Sequence, residues 1–362
     1  MKKVGILTFH KAHNYGAVLQ VAALICFLKN QGYAVEAVNY LSPPNRRYRL
    51  ILFFKRRNVV KLLWETLFLF GRRYLRHRAF ERFMSTYVIH SQAPVKEKND
   101  LKGLDYDAYV VGSDQVWNTD ITAGFDDIYW GNFSTEKPAR KISYAASSEN
   151  YPYDRRNKEK VRKGLRNFDA LSVRENAFAE YLQKVTTQEI STVVDPTLLV
   201  PSGFFENLAV PPENRGRFVL VYQVVENHEV LCVAQNIARQ LDAEVIEIRS
   251  KITGMVKRKN VIETARPEEF LGYLKAAQCI VTTSFHGTAF SLIFQKSFYF
   301  VDLKNNANRS RALLNDLSLQ QRVISTSDDV LFSSIDYEYP IQILRKKRKF
   351  SADFLKKALY DL

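Results

Sequence analysis

Two stretches of this chain concentrate side chains able to do chemistry where an apolar run gives way to a helical pattern. In the first, Thr282, Thr283 and Ser284 close an apolar run that starts at Cys279, and Phe285, His286, Gly287 and Thr288 open the next one. A buried strand, a polar elbow and a helix start in that order aim free N–H groups and the helix dipole at an anion, so Ser284, Gly287 and Thr288 are candidate anion contacts. His286 adds an imidazole whose ordinary pKa is near neutrality, which suits it to moving protons. In the second stretch, His10, Lys11, Ala12, His13, Asn14, Tyr15 and Gly16 follow the first apolar run and enter a helix carrying Gln20. Asn14 can cap that helix and Gly16 lets a ligand approach the backbone; the alternative is a plain tight turn. His10 and His13 are metal-ligand types, but no third ligand accompanies them in sequence, so a metal is not expected.

Between these lie Gly112, Ser113, Asp114, Gln115, Val116, Trp117 and Asn118, again at the end of an apolar run. Ser113, Asp114 and Gln115 suit hydrogen bonds to sugar hydroxyls, with Trp117 as a stacking face; a helix cap and a core tryptophan fit equally. Arg174 ends the run Leu171, Ser172, Val173. It is either a partner of Glu175 or a bidentate grip on a carboxylate or phosphate. Asp195 and Pro196 end another run, and Arg309 and Arg311 follow a strand near 301 from which they can reach the same cleft. Asp126 and Asp127 have no neighbours that complete a metal site.

Short apolar runs alternate with helix-period segments, the pattern of parallel sheets with crossover helices. Strands are expected at 4–9, 35–40, 108–112, 141–145, 170–173 and 192–194, then at 218–223, 244–249, 279–283 and 298–301. Helices are expected over 16–30, 229–241, 267–277, from 287, and over 352–362. The turn-rich stretch 196–217 is the linker candidate. The expected organisation is therefore an N-terminal domain over 1–200 with a basic helical insert at 43–100. A C-terminal domain follows over 213–340, then a tail at 341–362 that crosses back. Two doubly wound α/β domains would face a cleft, with ligands beyond the carboxyl ends of the strands.

The 362 residues suit about two domains, and 46% hydrophobic with 25% charged residues excludes a disordered chain. Cys26, Cys232 and Cys279 sit among apolar neighbours and read as buried thiols of a reducing compartment. No signal-peptide pattern opens the sequence, and the apolar stretch at 59–70 is too short and too charged to span a bilayer, so a cytoplasmic protein is expected. The net charge of +15 is concentrated: residues 46–82 hold twelve Lys or Arg against Glu65 and Glu81, and residues 345–349 hold five without an acid. Both segments mix cations with Leu, Phe, Trp or Tyr. No nucleic-acid-binding motif accompanies them. Two readings stay open: peripheral contact with an anionic membrane at its inner face, and solvated faces of helices that pack through an apolar stripe.

Five motifs in order carry a resemblance over most of the chain. They are Asn14-Tyr15-Gly16-Ala17-Val18-Leu19-Gln20, Val111-Gly112-Ser113-Asp114-Gln115-Val116-Trp117-Asn118, Ser172-Val173-Arg174-Glu175, Val194-Asp195-Pro196-Thr197-Leu198 and Thr283-Ser284-Phe285-His286-Gly287-Thr288. In this the sequence resembles the polysaccharide pyruvyltransferase family. The resemblance implies two Rossmann-like domains in a GT-B-like arrangement. It also implies transfer of pyruvate from phosphoenolpyruvate to two hydroxyls of a sugar, without metal or other cofactor. The acceptor would be an oligosaccharide, lipid-linked, of a bacterial surface polysaccharide. His286 matches the family's donor-site histidine and would act as acid and base with Asp114. Donor contacts would be Arg174, Ser284, Gly287, Thr288, Arg309 and Arg311; acceptor contacts would be Asn14, Tyr15, Gly16, Gln20, Ser113, Gln115 and Trp117. Two residues before that histidine the family often has arginine; here it is Ser284, and Arg309 or Arg311 is expected to replace the charge. Two other functions share these features: a glycosyltransferase using a nucleotide sugar, and a non-catalytic glycan-binding protein.

Overall fold

The computed structural model describes residues 1–40, 42, 59–91, 93–149, 151–213, 216–224, 226–252, 259–303, 308–325 and 330–360. In its first half, β1 (Lys3–Leu7) lies between β2 (Ala34–Ala37) and β3 (Ala108–Val111), and β4 (Arg140–Ser143) follows β3, all parallel. Parallel bridges from Ile142 to Ala170 and from Ala146 to Val173 continue this sheet toward β5 (Leu171–Val173) and β6 (Ile190–Thr192). A parallel sheet is covered on both faces, which explains why β1 and β3 are almost wholly buried runs rather than alternating ones.

Helix α1 (Tyr15–Asn30) connects β1 to β2, and every residue from Tyr15 to Ile25 is buried. A helix apolar on all sides must be enclosed, and α1 is caught between its own sheet and the second half. The insert contributes α2 (Val59–Tyr87); expectations for residues 43–58 lie outside the described residues. Short helices α3 (Arg155–Leu165) and α4 (Asn176–Gln183) flank β5.

The stretch expected as a linker does run from the first half to the second, but it begins as ordered helix. Asp195 caps α5 (Pro196–Leu199), Pro196 occupies its first turn where a missing N–H costs nothing, and all four residues are buried. Helix α6 (Ser202–Leu208) follows directly.

The second half is a six-stranded parallel sheet. It contains β7 (Phe218–Gln223), β8 (Glu244–Arg249), β9 (Val261–Ile262), β10 (Cys279–Thr282), β11 (Phe298–Val301) and β12 (Val323–Ile324), ordered β12-β11-β10-β7-β8-β9. Its helices are α7 (His228–Gln240), α8 (Pro267–Ala276), α9 (Phe285–Ile293) and α10 (Asn308–Asp316). The final helix α11 (Glu338–Leu359) is far longer than expected, starting at 338 instead of 352. Its buried positions Pro340, Leu344, Ser351, Leu355 and Leu359 keep helical spacing straight through the basic run. It lies on the first half: Ser351 Oγ accepts the Val194 N–H at 2.9 Å and Arg348 donates to the Leu198 carbonyl at 2.8 Å.

Strand order reverses between β1 and β3 in one sheet and between β7 and β10 in the other. Ligands bind at such switch points in doubly wound folds, and the loops after β1, β3 and β10 are the ones that carry the motifs.

Candidate active site

The site forms around a residue to which the sequence reading gave no role. Asp195 is fully buried, and its Oδ2 accepts hydrogen bonds from Ser113 Oγ at 3.0 Å and Arg174 Nη1 at 2.8 Å. His286 Nε2 stands 3.9 Å from the same oxygen. The other oxygen accepts from Thr197 N–H and Thr197 Oγ1. One carboxylate therefore ties the β3 loop, the end of β5 and the α9 elbow of the opposite sheet. Burial alone would raise its pKa, but His286, Arg174 and the Thr197 donors outweigh that and hold it below the usual carboxylate range.

Arg174 is buried and saturated on two sides. Besides Asp195, its Nε donates to Glu175 Oε1 at 2.9 Å, and Asp114 Oδ1 lies 3.6 Å from Nη2. Burial opposes the charge, but Glu175, Asp195 and Asp114 together raise its pKa further. The fork expected to grip a donor is thus engaged by the protein. Only Nη2 makes no hydrogen bond among the described residues. The guanidinium also lies 4.3 Å over the Phe285 ring, and that of Arg309 lies 5.9 Å from the same ring centre.

Gly16 and His286 come from opposite halves and touch. A Cβ built on Gly16 would sit 2.1 Å from His286 Nδ1, so only glycine leaves room for the imidazole. The close approach expected here is real, but the group that approaches is the histidine. His286 Nε2 is buried without a hydrogen bond among the described residues. Burial lowers the pKa of this imidazole, more than Asp195 and Asp114 raise it, so the neutral, proton-accepting form is favoured.

The other expected residues divide sharply. Asp114 joins the cluster: its Oδ1 is 3.7 Å from Arg309 Nη1, and its backbone is held at φ 72°. Gln115 Nε2 bonds Glu149, which also accepts from Arg309 Nε at 2.8 Å. Asn14 caps α1 through Ala17 N–H. Ser284, Gly287 and Thr288 serve α9 itself: Ser284 Oγ accepts the Gly287 N–H, and the Thr288 hydroxyl donates to the Ser284 carbonyl. The amide expected to bind an anion is taken by its own cap.

Four expectations fail. Trp117 cannot stack on a sugar: it is fully buried, lies flat on Trp130 at 4.5 Å, and donates its indole N–H to the Tyr129 carbonyl. Tyr15 is fully buried between the halves, stacked 4.4 Å from Phe270 with its hydroxyl on the Ala265 carbonyl. Gln20 is buried too and donates to Thr8 Oγ1 at 3.0 Å. Arg311 pairs with Asp302 instead of entering the cluster. In each case an apolar enclosure or a nearer charge captured a side chain that sequence alone left free. Of the three cysteines, only Cys279 is buried and Cys232 is exposed.

The basic insert is also partly turned inward. Arg76 is buried between the Tyr15 and Phe80 rings, and donates to the carbonyls of Glu263 at 2.8 Å and His13 at 3.2 Å. Arg72 pairs with Glu263 at 2.9 Å. These cations fasten α2 to the second half, while Phe70, Tyr74 and Leu75 are exposed. No described helix is long and apolar enough to cross a membrane.

A cavity of about 300 Å³ opens beside the cluster, lined among others by Arg174, Asp195, Phe285, Arg309, Lys346 and Lys347. A larger depression of about 900 Å³ lies around Lys158, Arg162 and Gln183 and holds none of these residues.

Two parallel-sheet lobes meeting at a polar cluster define a Rossmann-like, GT-B-like protein. The sequence matches the polysaccharide pyruvyl transferase family over residues 14–305, and the chain belongs to that family. No curated protein matches it. Among solved structures, it is similar to S. aureus MnaA with UDP, at TM-score 0.49 and 10% identity over 96% of this chain and 88% of that one. It is also similar to the Methanocaldococcus jannaschii UDP-GlcNAc 2-epimerase with UDP-GlcNAc and UDP, at TM-score 0.49 and 13% identity over 100% of both chains. The glycosyltransferase SnogD from Streptomyces nogalater gives TM-score 0.38 and 12% identity over 99% of this chain and 97% of that one.

Proposed function

We propose that this protein moves the pyruvyl group of phosphoenolpyruvate onto two hydroxyls of a sugar, as a cyclic ketal, and releases inorganic phosphate. The observation that carries the reading is the convergence of His286 and Arg174, from opposite lobes, on the single carboxylate of Asp195. The reaction adds one proton to the methylene carbon of the enol ester and makes two C–O bonds at its central carbon. One hydroxyl proton replaces the one consumed at the methylene, the second leaves with the phosphate as the C–O–P linkage breaks at carbon, and the balance closes. In this reading His286, whose burial favours the neutral form, takes a hydroxyl proton, and the fixed charge of Asp195 stabilises the imidazolium for the return step.

A small polyanion suits the cavity beside the cluster, which is at the low end of ligand-pocket sizes. Arg309 and Lys346, which line that cavity beside Arg174, are the cations to hold it there. Arg174 is first a positioning residue for Asp195. Arg309 supplies the charge that Ser284 lacks. The acceptor is a sugar of a polysaccharide or its lipid-linked precursor.

Phosphate release from phosphoenolpyruvate should require a saccharide acceptor and fall about 10²–10⁴-fold in His286→Ala, the usual worth of a positioned acid–base group. The donor should still raise the melting temperature of that variant. Stabilisation by a nucleotide diphosphate but not by phosphoenolpyruvate would assign the cavity to nucleotide-sugar chemistry and overturn the proposal.

A further inference from the structure

Away from the Asp195 cluster, His13, His77 and Glu81 meet on the flank of the loop between β1 and α1. His77 and Glu81 are four residues apart on α2 and so share one helix face; His13 reaches them from the loop. His13 Nε2 is 3.3 Å from His77 Nδ1 and 3.9 Å from Glu81 Oε1. One ligand atom from each residue lies within 4.8 Å of the others. Tetrahedral zinc with bonds of about 2.0–2.1 Å sets its ligand atoms about 3.3 Å apart. The two imidazole nitrogens already stand at that spacing. The carboxylate is on a half-exposed side chain, 51% accessible, free to close the remaining gap.

We propose that His13, His77 and Glu81 form a binding site for a zinc-type divalent metal ion, with the fourth coordination position open to solvent. Two imidazoles and one carboxylate favour such an ion over magnesium or calcium, which take oxygen ligands. The surroundings hold the ligands in place: the His13 ring packs 5.4 Å from Phe80, and its carbonyl accepts from the buried Arg76. Lys11 is the nearby cation that also faces Glu81 and competes with the metal for it. Because Asn14 follows His13 directly and Gly16 lies three residues on, a bound ion would brace the insert helix against the loop that leads to the glycine under His286. The site stands whether or not the pyruvyl-transfer reading does.

The test uses the full, tag-free chain, stripped with EDTA and dialysed against zinc chloride. Wild type should retain one zinc per chain, and His77→Gln and Glu81→Gln should each weaken zinc binding at least about tenfold. All three should melt alike in EDTA, with zinc raising the melting temperature of wild type alone. Equal retention by wild type and both variants would put the ion elsewhere and overturn the proposal, as would no retention by wild type.

Discussion

Gly16→Ala is the smallest change that reaches the centre of the site. The added Cβ would lie 2.1 Å from His286 Nδ1 and 2.2 Å from its Cγ, against the 3.4 Å at which ordinary contact begins. Contact from the helix backbone is not easily relieved by α1, which is enclosed on all sides, so the imidazole must withdraw by about 1.3 Å. A misplacement of about 1 Å is enough to cost about 10²-fold in rate. For stability, overpacking costs about 1–3 kcal/mol, while alanine in a helix recovers about 0.5–1 kcal/mol over glycine. The variant should therefore fold, lose at most about 2.5 kcal/mol, and lose about two orders of magnitude in phosphate release. The decisive measurement is a double-mutant cycle by urea unfolding. In a His286→Ala background the obstruction is gone, and Gly16→Ala should become neutral or stabilising, a coupling of about 1–3 kcal/mol. Equal effects in both backgrounds, or undiminished turnover in Gly16→Ala, would refute the placement of the imidazole against this glycine.

Two further perturbations test the frame around the site. Burial lowers the pKa of His10 from its ordinary 6.5 to about 4, so the unfolded chain takes up this proton first as pH falls. The stability His10 contributes is complete above pH 6.5 and is lost progressively toward pH 4; at about 1.4 kcal/mol per pH unit, about 2 kcal/mol goes by pH 5. Urea midpoints at pH 7 and pH 5 should show that loss, and His10→Gln should lack it. Arg76→Ala would leave the Glu263 and His13 carbonyls without their donor between the lobes, at a cost of about 3 kcal/mol in unfolding free energy. A cost below about 1 kcal/mol would mean that this guanidinium does not hold α2 in place.

The sequence by itself determined the kind of fold and the places where chemistry could sit. Buried parallel strands read as unbroken apolar runs, and β7, β8 and β11 end where the pattern says because hydrophobic periodicity is local. The polar elbows at Asn14 and Ser284 are equally local, since a hydroxyl or amide at a helix start reveals itself by position. Long α11 was half hidden because a five-residue cationic run interrupts its apolar stripe, although the helix passes through it unbroken. What only tertiary structure decided is which side chains face one another. Asp195, Ser113, Arg174 and His286 are far apart along the chain and meet at one carboxylate. Trp117 and Tyr15 look like exposed binding aromatics until a second aromatic layer, or the other lobe, closes over them. Spacing along a chain encodes backbone periodicity; the partner of a buried charge or ring is set by which faces the folded sheets bring together, and that information is not local.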